Sequence, residues 1–357
     1  ERLRLWEFHS LLESGAMLVP ALFLGFGWAL LKYLKRLTSS LVADRQTGDD
    51  RRQKCKPGVQ IVGKPPPVLL QEGFEKGLDI QTGFFVRPSN QSSMYWCTIT
   101  PSDVSKIERV LVCFHGIGDH CGFLTENTML HHAKLFNTAV IGFDMPGHGR
   151  SDGLHIYVED WFQFVDAAVE FVELFAKPKC AEWSELQGGG KKLKMFGHGE
   201  SMGGGVLSTI CLKRPELFNG VVLASPMLYI SPKTLPPPPV VLLFKHVLVP
   251  LFPSWYISPS KDLISRCFSD RAMCDILRAN PLGTGGSKPR LITAKSLGFQ
   301  ATEFFAPRLK DFGVPFLVIH AGEDGVTDPE CSRRLYDLAA IEDKVIKIYP
   351  GAQHADC

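Results

Sequence analysis

The sequence has no C-x-x-C pair and none of the cysteine and histidine spacings that build zinc sites, although it holds ten cysteines. These are scattered singly, and Cys113 and Cys211 sit inside apolar runs, so they read as reduced thiols packed as small hydrophobes. That pattern favours a cytosolic setting for the domain that carries them. The chain also lacks an excess of charge of either sign: 39 Lys and Arg against 37 Asp and Glu leave a formal net charge of +2. Nucleic acid is therefore not expected as a partner, and an uncharged or amphiphilic ligand suits the surface better. No internal repeat is present, which excludes a repeat array. What is there is an apolar content of 45% over 357 residues, enough for one large core plus an appendage and too much for a disordered chain.

One stretch carries no charge at all. Ser14 to Leu31 (SGAMLVPALFLGFGWALL) is bounded by Glu13 and by Lys32, Lys35 and Arg36, and is just long enough to cross a bilayer. Trp28 and Tyr33 lie near its end as interfacial residues do, and the basic flank that follows places the rest of the chain on the cytoplasmic side. A secretory signal would carry its basic cluster first and a small-residue cleavage site after it. Residues 1–37 are accordingly expected to be a membrane anchor rather than a signal peptide or a surface-lying helix. Residues 38–82 mix charges with the run Pro65-Pro66-Pro67 and show no apolar period, which reads as a linker.

From residue 83 onward strands alternate with helices. Gly83 to Pro88 and Ser93 to Thr100 form a β-pair expected at a sheet edge. Val110 to Phe114 is a continuous apolar run of the kind covered on both faces, and Thr138 to Phe143, Lys192 to Phe196, Val221 to Ala224, Phe316 to His320 and Val345 to Tyr349 are further strands whose alternation with helices implies a parallel or mostly parallel sheet. Trp161, Val165, Ala168, Val172 and Phe175 recur at helical spacing and predict a helix from Val158 to Lys177. Further helices are expected through His131 to Phe136, from Ser201 to Lys213, and from Pro329 to about Ala340. The alternation breaks down over residues 229–311, a proline-punctuated apolar insertion of a length that is usually functional, such as a cap.

Gly199-Glu-Ser201-Met-Gly203 is a G-x-S-x-G sequence placed between an apolar strand and an amphipathic segment, the context of a nucleophile elbow. A serine hydroxyl is a poor nucleophile until a base takes its proton, so a histidine must follow. His354 lies just past the last strand, after Pro350-Gly351, whereas His198 adjoins the elbow as a packing residue, His320 is inside a strand and His246 is in the insertion. The acid must come from the turn after Phe316 to His320, where Glu323, Asp324 and Asp328 compete. Asp328, followed by Pro329, suits a helix N-cap, while Asp324 stands best to orient the histidine, with Glu323 second. The oxyanion formed on attack needs two donors, for which the backbone N–H groups of Met202 and of Ile117 in His115-Gly-Ile-Gly118 are the candidates. The expected architecture is an α/β-hydrolase fold, a mostly parallel sheet with helices on both faces and a cap insertion, needing no metal or organic cofactor.

With these residues placed, the chain resembles the monoacylglycerol lipase family, in particular the plant-type branch that includes lysophospholipases and caffeoylshikimate esterases. The resemblance rests on HGIG at His115 to Gly118, DMPGHGRSDG at Asp144 to Gly153, GESMGG at Gly199 to Gly204, KPRL at Lys288 to Leu291, GEDGVTDPE at Gly322 to Glu330 and YPGAQH at Tyr349 to His354. It implies a serine hydrolase that cleaves a monoacylglycerol or lysophospholipid through an acyl-enzyme, with a lipase-like cap over an acyl tunnel formed by Val240 to Phe244 and Val247 to Phe252. It also leaves room for an acyltransferase, for a caffeoyl-type phenolic esterase, or for a ligand sensor that uses the fold without turnover. Association with a membrane through the anchor, and through the cap, is the matching expectation for partners.

Overall fold

In the computed structural model, β-strands and helices alternate along most of the described chain, which comprises residues 51–52, 74–187, 192–229, 237–256, 264–283 and 289–356. The expected membrane anchor at residues 1–37 lies outside these residues. Among the described residues no helix is long and apolar enough to cross a membrane.

Eight strands form one sheet in the order β1-β2-β4-β3-β5-β6-β7-β8: β1 Leu78–Val86, β2 Ser93–Pro101, β3 Arg109–Phe114, β4 Thr138–Phe143, β5 Lys194–Glu200, β6 Val221–Ala224, β7 Phe316–Ala321 and β8 Lys344–Tyr349. β2 pairs antiparallel with both β1 and β4, and every pairing from β4 to β8 is parallel. β4 is buried along its whole length and β3 at every residue but Arg109, so these two read as continuous apolar runs. Crossover helices cover the two faces: α1 Leu124–Phe136, α2 Trp161–Phe171, α3 Lys177–Leu186, α4 Met202–Lys213 and α5 Pro329–Leu338. One core gathers Trp161, Phe171, Phe114 and Phe143 beneath α2 and α4, and a smaller one packs Ile99, Val140 and Met129 beneath α1.

Several boundaries differ from the sequence reading. β1 starts at Leu78 rather than Gly83, inside the stretch read as linker, because its residues are mostly exposed at the sheet edge and leave no apolar alternation to detect. Farther back in that stretch, Arg51 is fully buried and docks on the loop after β4, giving its Nε hydrogen to the Gly149 carbonyl at 2.7 Å and an Nη1 hydrogen to the Gly153 carbonyl at 3.1 Å. α2 begins at Trp161, not Val158, because the Asp160 carboxylate accepts from the Phe162 and Gln163 N–H groups. The helical run then passes Lys177 through a π-turn at Val172–Ala176, whose shifted hydrogen bonding accommodates Pro178 at the start of α3. β5 extends four residues past Phe196, to Glu200, held by β3 on one side and β6 on the other despite its glycines.

Between β6 and β7 the described residues form short helices and no strand, including Pro238–Leu243, Arg271–Ala279, Leu291–Lys295 and Ala301–Phe305. Val249 and Phe252 are buried there, whereas Val240, Leu242, Leu243 and Val247 are exposed. Arg290, from the KPRL sequence, is a buried staple for this segment: it donates to the His155 carbonyl at 2.7 Å and the Ser254 carbonyl at 2.8 Å, and lies over the Tyr256 ring.

Candidate active site

The strand order reverses where β3 is flanked by β4 and β5, and in such sheets the crevice at the carboxyl ends of the strands is where ligands bind. β5 ends there at Glu200, and the next residue, Ser201, has its backbone forced to φ 52° and ψ −116° between the strand and α4. This turn is fixed from outside: the Ser201 N–H donates to the Ala224 carbonyl at 2.9 Å, and the Ser201 carbonyl accepts from Met227 at 2.9 Å. The two flanking glycines are sterically required. A Cβ on Gly199 would lie 2.7 Å from the Gly203 carbonyl oxygen, and one on Gly203 would collide with the Phe114 carbonyl.

His354 reaches the same point from the turn after β8, where Gly351 adopts φ 78°. Its Nε2 stands 2.9 Å from Ser201 Oγ, and its Nδ1 2.6 Å from Asp324 Oδ2. Both Ser201 and His354 are buried, and the Asp324 carboxylate is wholly shielded from solvent. Asp324 accepts two further backbone hydrogens at Oδ1, from Val326 at 2.7 Å and Thr327 at 2.8 Å, while the Thr327 hydroxyl lies 2.9 Å from Oδ2. Burial alone would raise its pKa, but the contacts to His320 and His354 and the backbone hydrogen bonds prevail and hold the carboxyl well below the usual range. The other two carboxylates of the turn are elsewhere: Glu323 is exposed, and Asp328 caps α5 by accepting from Glu330 N–H at 3.0 Å. The loops that carry Asp324 and His354 are laced together, with Gly322 N–H donating to the Tyr349 carbonyl at 2.7 Å and Glu323 N–H to the Ala352 carbonyl at 3.0 Å.

The loop His115 to Gly118 passes beside the serine. A Cβ placed on Gly116 would come within 3.5 Å of Ser201 Cβ. Met202 opens α4, so its N–H belongs to the first turn, where no intrahelical acceptor exists and the helix dipole is positive. His115 is fully buried and braces this loop: its Nε2 accepts the Met145 N–H at 2.9 Å, so the ring proton is on Nδ1, which donates to the Gly116 carbonyl at 2.8 Å. The Asp144 to Gly153 sequence is the other half of that brace, since the Asp144 carboxylate accepts from Cys121 at 2.8 Å and Arg150 at 2.7 Å.

Sequence reasoning brought Ser201, Asp324 and His354 together but missed three neighbours. His115 was visible only as part of HGIG, Thr327 had no distinguishing signal, and His320 was set aside as a strand residue although its Nε2 lies 3.3 Å from Asp324 Oδ2. His198 is a packing residue as expected, with burial pushing its pKa down to about 4.

The sequence profile of the serine aminopeptidase, S33, family matches residues 105–355. The chain belongs to that family. Within the S33 family's reach, the chain is 27% identical over 281 residues to the caffeoylshikimate esterase of Arabidopsis thaliana, covering 78% of this chain and 80% of that protein. It is 30% identical over 246 residues to the monoglyceride lipase of Homo sapiens, covering 67% of this chain and 73% of that one. Among solved structures, the monoacylglycerol lipase of Paleococcus ferrophilus superposes with a TM-score of 0.52 at 26% identity, over 77% of this chain and 90% of that one. A soluble variant of the Saccharomyces cerevisiae monoglyceride lipase gives a TM-score of 0.61 at 20% identity, over 78% of this chain and 87% of that one, and so supports the fold alone. The S33 member described here is thus a serine hydrolase of the monoglyceride lipase and esterase type, a carboxylic ester hydrolase with the α/β-hydrolase fold.

Proposed function

We propose that the chain hydrolyses the acyl ester of a monoacylglycerol or lysophospholipid, with Ser201 as nucleophile, His354 as general base and Asp324 as the orienting acid. The observation that carries this reading is the unbroken line from Ser201 Oγ to His354 Nε2 at 2.9 Å and from His354 Nδ1 to Asp324 Oδ2 at 2.6 Å. Ser201 Oγ attacks the ester carbonyl carbon as its proton passes to His354 Nε2, and the imidazolium is stabilised by the anionic Asp324. The oxyanion is received by the N–H groups of Ile117 and Met202. His354 then returns the proton to the departing glycerol oxygen, leaving an acyl-Ser201 ester, and a water activated by the same histidine releases the fatty acid and restores the serine.

The single-chain lipid is favoured by the relatives named monoglyceride lipase and by the apolar insertion between β6 and β7, read as a cap that shelters an acyl chain. Exposed Val240, Leu242, Leu243 and Val247 on that cap suit contact with a lipid surface, alongside the uncharged stretch from Ser14 to Leu31 read as an anchor. A second reading, cleavage of a caffeoyl-type phenolic ester, is favoured by the Arabidopsis relative, which matches over more of this chain than the human lipase does. Acyl transfer to an alcohol would use the same acyl-enzyme with a different acceptor.

Replacing Ser201 with Ala is expected to lower kcat on a monoacylglycerol by a factor on the order of 10⁵–10⁶ with the fold unchanged. Substantial esterase activity left in that variant overturns the assignment. A panel of monoacylglycerol, lysophospholipid and caffeoyl ester, assayed with and without a competing alcohol, separates the lipid, phenolic and transferase readings.

A further inference from the structure

Asp324 lies between two histidines, of which the mechanism above uses one. His320, on β7, is fully buried, and its side chain and the Asp324 carboxylate are both closed to solvent. Its Nε2 stands 3.3 Å from Asp324 Oδ2, 3.4 Å from the Thr327 carbonyl oxygen and 3.3 Å from Thr327 Oγ1. The first two can only accept a hydrogen, and the Thr327 hydroxyl has its own acceptors in Asp324 Oδ2 at 2.9 Å and the Ser225 carbonyl at 3.1 Å. The ring proton is therefore on Nε2. Nδ1 is then the lone-pair nitrogen, and it receives the hydroxyl hydrogen of Ser332, a buried residue of α5, at 2.7 Å.

We infer that His320, with its tautomer set by Ser332, is a positioning residue that holds the Asp324 carboxylate for His354. The arrangement mirrors the reacting side: a serine hydroxyl on a histidine nitrogen, and that histidine against the same carboxylate oxygen. In Ser201–His354 the hydroxyl gives up its proton to react; in Ser332–His320 it serves as a fixed donor. The Nε2–H lies among Asp324 Oδ2, the Thr327 carbonyl and Thr327 Oγ1, where it stabilises the charge of a carboxylate whose side chain is closed to solvent and braces the turn that carries it. Cys331, next to Ser332, is a buried thiol that burial pushes up to about 12, and its hydrogen goes to the Pro226 carbonyl at 3.4 Å; Asp328 caps α5. Asp324 Oδ1 is held by the Val326 and Thr327 N–H groups, and at Oδ2 His320 joins the Thr327 hydroxyl and His354.

The inference rests on the serine-hydrolase reading and can fail separately from it. His320→Leu, which keeps bulk and removes the donor, is expected to lower kcat about 10- to 100-fold with KM within about twofold, the split produced when ground-state binding is untouched. His320→Gln, whose amide supplies an N–H at nearly the same reach, is expected to recover most of that loss. Ser332→Ala is a smaller change that leaves the core packed, and it is expected to lower kcat about 3- to 10-fold through loss of the tautomer. In folded protein the low-field proton resonance of His354 Nδ1–H should move in His320→Leu and return toward its wild-type position in His320→Gln. Wild-type kcat in either His320→Leu or Ser332→Ala, or an equal loss in Leu and Gln, overturns the role. A wild-type protein that a fluorophosphonate does not label at Ser201 overturns the underlying serine-hydrolase reading instead.

Discussion

His115 Nε2 accepts the backbone N–H of Met145 at 2.9 Å, so the histidine of the HGIG loop is turned into the neighbouring turn. Its other nitrogen grips Gly116, the residue that passes Ser201. The imidazole is therefore a strut for the loop that offers the Ile117 N–H.

His115→Ala leaves that loop without its tether. Misplacing an oxyanion donor by as little as 1 Å costs on the order of 100-fold. The variant is expected to lose about 10- to 100-fold in kcat, with little change in KM, in steady-state assays on a soluble acyl ester. An unchanged kcat would mean the loop holds its shape without the imidazole.

Glu200 precedes Ser201, and burial, aided by the negative charge of Asp119, pushes its carboxyl up from 4.5 to about 7. A carboxyl with a raised folded-state pKa contributes stability that is complete below its unfolded value and is lost as pH rises through the folded one. Wild type should therefore lose stability relative to Glu200→Gln between pH 4.5 and about 7, and the gap should level off above that. Melting temperatures of the two proteins from pH 4 to pH 8.5 check this. Parallel curves across the whole range would contradict it.

Arg51 spreads its guanidinium over the carbonyls of Gly149, Ser151 and Gly153, and Arg52 adds an ion pair to Asp152 at 2.8 Å. Arg51→Ala strands those carbonyls and is expected to destabilise the domain by about 2–4 kcal/mol. Lys cannot reproduce the fork and should recover only part of the loss. Thermal melts of the wild type and both variants decide it. Equal melting temperatures would show that the contact contributes nothing.

The fold and three of the central side chains were legible because buried parallel strands announce themselves as apolar runs, and in this topology catalytic loops sit at their ends. Ser201, Asp324 and His354 each lie just past the end of a strand, although only the strand before Asp324 is apolar and largely buried up to that end. What escaped is what carries no periodic signal. Arg51 docks through polar hydrogen bonds to carbonyls, which leave no apolar pattern around it. The end of β5, Gly197-His-Gly-Glu200, consists of residues with little strand preference and is extended only because β3 and β6 pair with it. His320 looks in sequence like a polar interruption of a strand, and only the return of the chain through Asp324 and α5 gives it partners.

The left-handed backbone of Ser201 sets the residue against its own conformational preference. A glycine would occupy that conformation more comfortably than serine does, since the side chain is what the geometry resists. The hydroxyl is thus kept against the preference of the very residue that bears it. Placing glycine there would relax the turn and delete the hydroxyl together, so an easy backbone and the presence of that group are opposed at this one position.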